Sequence, residues 1–252
     1  MTNEPVETTK TMRSRGIYLL PNLVTIGSMF AGFYAIIAGL QGRYENAVIA
    51  IFTALILDGL DGRIARWTHA VSEMGAQMDS LADMVSFGIA PAMVMYSWSL
   101  SILGKPGWLV AFIYTVCTAL RLARFNSQAQ GENKRYFFGL NTPSSAALVA
   151  STIWTFAVND INGIAVAIPM AVLMFLLGLL KVSTIRYRSF KDIDLRNKRV
   201  SLVVIIIAIL VLALIALDPP EMLFFLVLTY VISGPVNVIW RFFRHRKLRA
   251  KK

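Results

Sequence analysis

The chain has 252 residues, 56% of them hydrophobic and only 15% charged, with a net charge of +11 and a mean hydropathy of +0.61. A soluble domain carries about 25% charged residues, so this composition excludes an ordinary water-soluble protein and points to an integral membrane one. A single cysteine, Cys117, excludes disulfides and cysteine metal sites, and neither histidine has a second nitrogen or sulfur ligand near it in sequence.

Residues 1–16 carry Glu4 and Glu7 and lack a short apolar region followed by a small-residue cleavage site. They read as a retained cytoplasmic segment ending in a helix that lies on the membrane. Eight apolar runs follow, with spans expected near 17–40, 44–64, 78–100, 106–124, 143–159, 163–182, 200–217 and 222–243. Each is long enough for a bilayer core of about 30 Å. The fifth is short and rich in Ser and Thr, and Cys117 falls in the fourth as a packing residue. With both termini cytoplasmic, 23 of the 25 basic residues lie on the inner side, leaving only Arg43 and Lys105 outside. The positive-inside rule predicts this bias and disfavours an odd number of spans. The fold class expected is therefore an all-α integral membrane protein with about eight transmembrane helices. Every motif lies within 17–190, so 191–243 reads as an appended two-helix extension for packing or oligomerisation. The basic tail 244–252 is placed against anionic headgroups rather than nucleic acid.

The chemistry concentrates where the second span ends and the third begins. Asp58 and Asp61 are three residues apart and Asp79 and Asp83 four apart, so each pair shares a helix face. Four carboxylates at the edge of a membrane need cations to offset their repulsion, and hard oxygen ligands favour Mg²⁺, Mn²⁺ or Ca²⁺ over zinc. Gly59, Gly62 and Gly75 remove side chains where a backbone or ligand comes close, and Arg66 suits a phosphate oxygen. Two metals with an arginine commonly stabilise charge in phosphoryl transfer. Helix caps explain one such Asp but not four. A cation transporter also uses membrane carboxylates, although its sites tend to lie near the bilayer midplane.

The residues from Asp58 to Asp83 meet every position of D-x-x-D-G-x-x-A-R-x8-G-x3-D-x3-D, and in this the chain resembles the CDP-alcohol phosphatidyltransferases. The resemblance implies a six-helix membrane core over 17–190, a homodimer, and a CDP-linked lipid such as CDP-diacylglycerol bound near the cytoplasmic surface. It also implies that an acceptor hydroxyl attacks the β-phosphorus and CMP leaves. Carried over by position, Asp58, Asp61 and Asp79 are ligands of two divalent cations (Mg²⁺ or Mn²⁺, with Ca²⁺ an alternative). Asp83 contacts the second cation and acts as general base, while Asn22, Thr25, Asp61, Gly62, Ala65, Arg66 and Gly75 face the CDP-lipid. Read without the resemblance, Pro21-Asn22 equally suits a proline that starts a helix beside a capping residue.

Three further stretches bear on the acceptor: Leu120–Asn126, Phe138–Pro143 and Val182–Lys191. Together they resemble the phosphatidylserine synthase branch of the family, which usually has Gly-Leu-Pro-x-Pro where this chain has Gly139-Leu140-Asn141-Thr142-Pro143. The resemblance implies L-serine as the acceptor. Its carboxylate needs fixed cationic donors, for which Arg121, Arg124 and Asn126 are suited in type and position, with Arg186 and Lys191 as second choices. The same arginines also serve as helix-end anchors on the cytoplasmic side. A phosphorylated acceptor, glycerol 3-phosphate or inositol phosphate, keeps the chemistry and calls for more cationic donors.

Overall fold

A computed structural model describes residues 9–67, 72–128, 137–187 and 202–249. Helices occupy all eight expected positions: α1 (Thr9–Leu40), α2 (Tyr44–Trp67), α3 (Glu73–Asp83) continuing into α4 (Ala90–Trp98), α5 (Lys105–Gln128), α6 (Thr142–Val158), α7 (Ala167–Val182), α8 (Leu202–Leu217) and α9 (Pro219–Arg249). Among the described residues five stretches are long and apolar enough to cross a membrane: Pro21–Leu40, Glu73–Trp98, Lys105–Ser127, Gly163–Val182 and Pro219–Val238. The other three helices fall short for separate reasons. α2 carries Asp58, Asp61 and Arg63, while α6 and α8 have only 17 and 16 residues.

α1 begins well before the expected span and runs through Pro21 without interruption. It packs along α2 through small residues, with Ala31, Ala35 and Ala38 meeting Ala47, Ala50 and Ala54 in the buried core. Such residues let two helix backbones approach closely in a membrane, where dispersion and hydrogen bonds replace hydrophobic exclusion. Ser28 Oγ donates across this seam to Ala54 O at 3.0 Å.

α3 and α4 form one rod joined by a π-helical turn, Met84–Ile89. Pro91 has no N–H to offer Phe87 O, and Tyr114 Oη of α5 donates to that carbonyl instead, at 3.3 Å. The π turn is clamped from the other side by α1. Ser86 Oγ donates to Ser28 O at 3.0 Å, and a Cβ on Gly32 would lie 2.6 Å from Ser86 Cα.

α6, the short Ser/Thr-rich run, is the central helix, with Thr142 and Ser145–Ile153 buried. Its hydroxyls are tolerable there because they turn back on their own helix: Ser145 donates to Thr142 O, and Ser151 and Thr152 donate to Leu148 O. At one end of the bundle β1 (Phe137–Phe138) pairs antiparallel with β2 (Arg186–Tyr187), forming a short strap over the end of α7. Gly139, with φ +80°, donates to Ile185 O at 2.8 Å, and Leu140 N donates to Leu180 O at 2.9 Å. In the C-terminal pair, α9 lies against α6, burying Val227 and Val231, and meets the strap through Tyr187.

Candidate active site

The carboxylates converge where α2 ends and α3 starts. Ser72 caps α3, its side chain accepting from Gly75 N at 3.0 Å, so the helix begins ahead of the expected span and carries both Asp79 and Asp83. One carboxylate oxygen from each of Asp58, Asp61 and Asp79 lies within 4.8 Å of the others. Asp61 is 5% exposed, and Thr25 Oγ1 donates to its Oδ2 at 2.8 Å with the Gly62 backbone N–H beside it. That bond ties α1 to the acidic cluster. A Cβ on Gly75 would sit 3.4 Å from Asn22 Oδ1 and 3.1 Å from the capping Ser72 Oγ, so Asn22 and Gly75 also meet here. Gly59 and Gly62 face open space, with no protein atom within 4 Å of an added Cβ. Neither is needed for helix packing, and both leave room for a ligand.

Asp83 stands one turn beyond Asp79, beside the triad. It shares a hydrogen bond with Asp58 and lies within the influence of the Asp79 carboxylate and the Arg121 guanidinium. Its Oδ1 is shut off from solvent with no hydrogen-bond partner in the structure. A buried acceptor without a donor is costly, and a cation bound beside it would supply what it lacks. The donor set is all carboxylate oxygen, so the residues present fit hard divalent ions and not zinc.

The acceptor-side candidates divide. Arg121 faces Asp83 and donates from Nη1 to Thr142 Oγ1 at 3.2 Å, while its Nε is buried without a partner. Asn126 instead pairs with Ser80 in a reciprocal exchange, Asn126 Nδ2 to Ser80 Oγ at 3.0 Å and Ser80 Oγ to Asn126 Oδ1 at 3.2 Å. It therefore braces α5 against α3, one residue from Asp79. Arg124 is half-buried on the same stretch of α5. The side chains of Ala65, Arg66 and Arg186, and all of Lys191, lie outside the described residues.

Three residues near Arg121 were not singled out from sequence. Thr142 opens α6 and holds the guanidinium. Lys181 is 1% exposed, donating to Thr118 Oγ1 at 2.6 Å with its ammonium over the Tyr114 ring, and Arg121 is close enough to repel it. A lysine inside an apolar run is a functional signal in its own right; here it counted only toward topology. Tyr230 of α9 also reaches the field of Arg121, and nothing in its apolar surroundings marked it.

Fold and site together define a multi-pass helical membrane protein with an acidic cluster, placed to bind metal, at one end of its bundle. The profile of the CDP-alcohol phosphatidyltransferase family matches residues 18–233, and the chain belongs to that family. It is 33% identical over 229 residues to a CDP-diacylglycerol–serine O-phosphatidyltransferase of Helicobacter pylori, covering 89% of this chain and 92% of that one. A protein of the same name from Methanocaldococcus jannaschii is 34% identical over 223 residues, 88% of this chain and 98% of its own. The Bacillus subtilis protein of that name is shorter, its 37% identity over 172 residues spanning 91% of it and 68% of this chain. The phosphatidylinositol phosphate synthase of Mycobacterium tuberculosis, solved with CDP-DAG bound, shares the fold at a TM-score of 0.50 and 19% identity, covering 70% of this chain and 89% of that one.

Proposed function

We propose that this chain transfers a phosphatidyl group from CDP-diacylglycerol to the hydroxyl of L-serine, giving phosphatidylserine and CMP. The observation that carries the reading is the position of Asp83, with the Asp58–Asp61–Asp79 triad on one side and Arg121 on the other. The names of relatives that align over nearly the whole chain support the same acceptor.

Asp58, Asp61 and Asp79, with Asp83 beside them, would hold divalent cations, Mg²⁺ or Mn²⁺. Bound there, such ions neutralise the pyrophosphate and the charge that CMP takes away. The chain's own residues do the rest. Thr25 fixes Asp61, and Asn22 and Gly75 border the same space with Gly62 open beside them. Arg121 receives the serine carboxylate as a fork-shaped donor held by Thr142. Asp83 takes the serine hydroxyl proton as that oxygen bonds to the β-phosphorus; the bond from phosphorus to the CMP oxygen breaks, and CMP leaves with the electron pair. The distribution of basic residues supports a site and both termini facing the cytoplasm, in a core spanning 17–190, and the family resemblance supports a homodimer surrounded by membrane lipids.

One observation favours a second acceptor class. Half-buried Arg121 and buried Lys181 are two cations within each other's field, and such a pair suits a dianion such as glycerol 3-phosphate or inositol phosphate. A single assay decides: purified protein, CDP-diacylglycerol, Mg²⁺ or Mn²⁺, a panel of alcohols, and CMP as the readout. Serine-dependent CMP release is the expected result. Release with glycerol 3-phosphate alone would move the acceptor assignment and leave the metal chemistry standing. No CMP release with any alcohol would favour a cation-binding transporter or scaffold.

A further inference from the structure

Pro235 lies inside α9, so the carbonyl four residues earlier, Val231 O, has no backbone donor. Tyr187 supplies one, its Oη donating to Val231 O at 3.1 Å. Gly234 makes room for the ring: a Cβ there would lie 2.3–2.6 Å from the Tyr187 phenol atoms. The tyrosine is only 2% exposed, although it belongs to a two-residue strand at the end of the bundle. Gly234 and Pro235 thus form a notch that this one side chain fills.

The notch connects to the acceptor side along two routes. The Tyr187 ring meets that of Tyr230 at 5.8 Å, tilted by 43°, and Tyr230 reaches the field of Arg121. The Tyr187 strand also pairs with Phe137–Phe138, and the chain continues from there through Gly139, bonded to Ile185 O just ahead of that strand, and Leu140, bonded to Leu180 O of α7, to Asn141. Asn141 caps α6 by accepting from Ser144 N at 3.0 Å, and the next residue, Thr142, holds Arg121. We infer that α9 is part of the acceptor side of the active site: its Gly234–Pro235 notch, filled by Tyr187, fixes the strap and thereby the position of Arg121. Tyr187 is a positioning residue on this account. The inference rests on the serine reading, and kinetics in both substrates test it.

Four variants of the full chain serve. Tyr187→Phe removes only the hydroxyl, and Pro235→Ala gives Val231 O a backbone donor that competes with Tyr187. Gly234→Ala drives a methyl into the ring, and Tyr187→Ala empties the notch. Each should raise the KM for serine by about fivefold or more, as expected of a displaced substrate-holding group, and leave the KM for CDP-diacylglycerol near wild type. Adding Gly234→Ala to Tyr187→Ala should change nothing further, because the clash needs the ring. The inference is overturned if Tyr187→Phe and Pro235→Ala keep the wild-type serine KM, or if both substrates' KM values rise together. Failure of the serine reading looks different: the wild type itself then ignores serine, and the same comparison is made with whichever alcohol it uses.

Discussion

Replacing Thr25 by valine removes the hydroxyl that donates to Asp61 Oδ2 at 2.8 Å while keeping the side chain's shape. Both residues are 5% exposed, so water does not replace the lost donor. A hydrogen bond to a charged group contributes about 1.5–3 kcal/mol, and at 1.36 kcal/mol per factor of ten that corresponds to roughly 10- to 150-fold. The bond holds the Asp61 carboxylate toward Asp58 and Asp79, so its loss should appear in metal affinity, where removal of an outer partner typically costs about 10–100-fold. The assay is CMP release titrated with Mn²⁺ or Mg²⁺. The half-saturating metal concentration should rise by about one to two powers of ten, with turnover largely recovered at saturating metal. Thr25→Ser keeps the hydroxyl and should stay close to wild type. A half-saturating concentration that is unchanged or lower in Thr25→Val would refute the idea that Thr25 orients a metal ligand.

Asp83→Asn should fold and bind CDP-diacylglycerol, yet lose about 10²–10⁴-fold in turnover, the usual contribution of a general base; substantial residual CMP release would rule the assignment out. Gly32→Ala forces a methyl to 2.6 Å from Ser86 Cα, a backbone atom that cannot swing aside. It should destabilise the protein by about 1–3 kcal/mol, visible in thermal unfolding in detergent. Gly139→Ala meets both a positive φ and Lys181 O at 2.2 Å. It should displace the strap and weaken serine use more than CDP-diacylglycerol binding; equal kinetics with wild type would contradict the role given to the strap.

The acidic cluster was legible because charge in an apolar chain is expensive and therefore conspicuous, and its i, i+3 and i, i+4 spacings specify which carboxylates share a face. The helices were legible for a related reason, since apolar length is the main requirement for crossing a bilayer. Helix faces were not. In a membrane the lipid-facing and protein-facing sides are both apolar, so α9 carried no periodic sign that Val227, Val231 and Gly234 point inward. The partnerships of Arg121 with Thr142, of Ser80 with Asn126 and of Tyr187 with Val231 join residues 21, 46 and 44 positions apart, and local pattern does not encode them. Asn141, which departs from the branch pattern at a usual proline, has a local explanation: it caps α6 just ahead of Pro143.

The π-helical turn at Met84–Ile89 works as a swivel between two halves of one rod. A π turn holds one residue more than an α turn, and each residue of an α-helix advances about 100° around the axis. The face carrying Asp79 and Asp83 is thereby offset by roughly a quarter turn from the face that α4 presents to the core. Loss of a single residue here would let the rod close into continuous α-helix and aim the carboxylates away from Asp58, with α4 still in place. The chain length between Asp83 and Pro91 therefore acts as an angular setting for the face that carries the carboxylates.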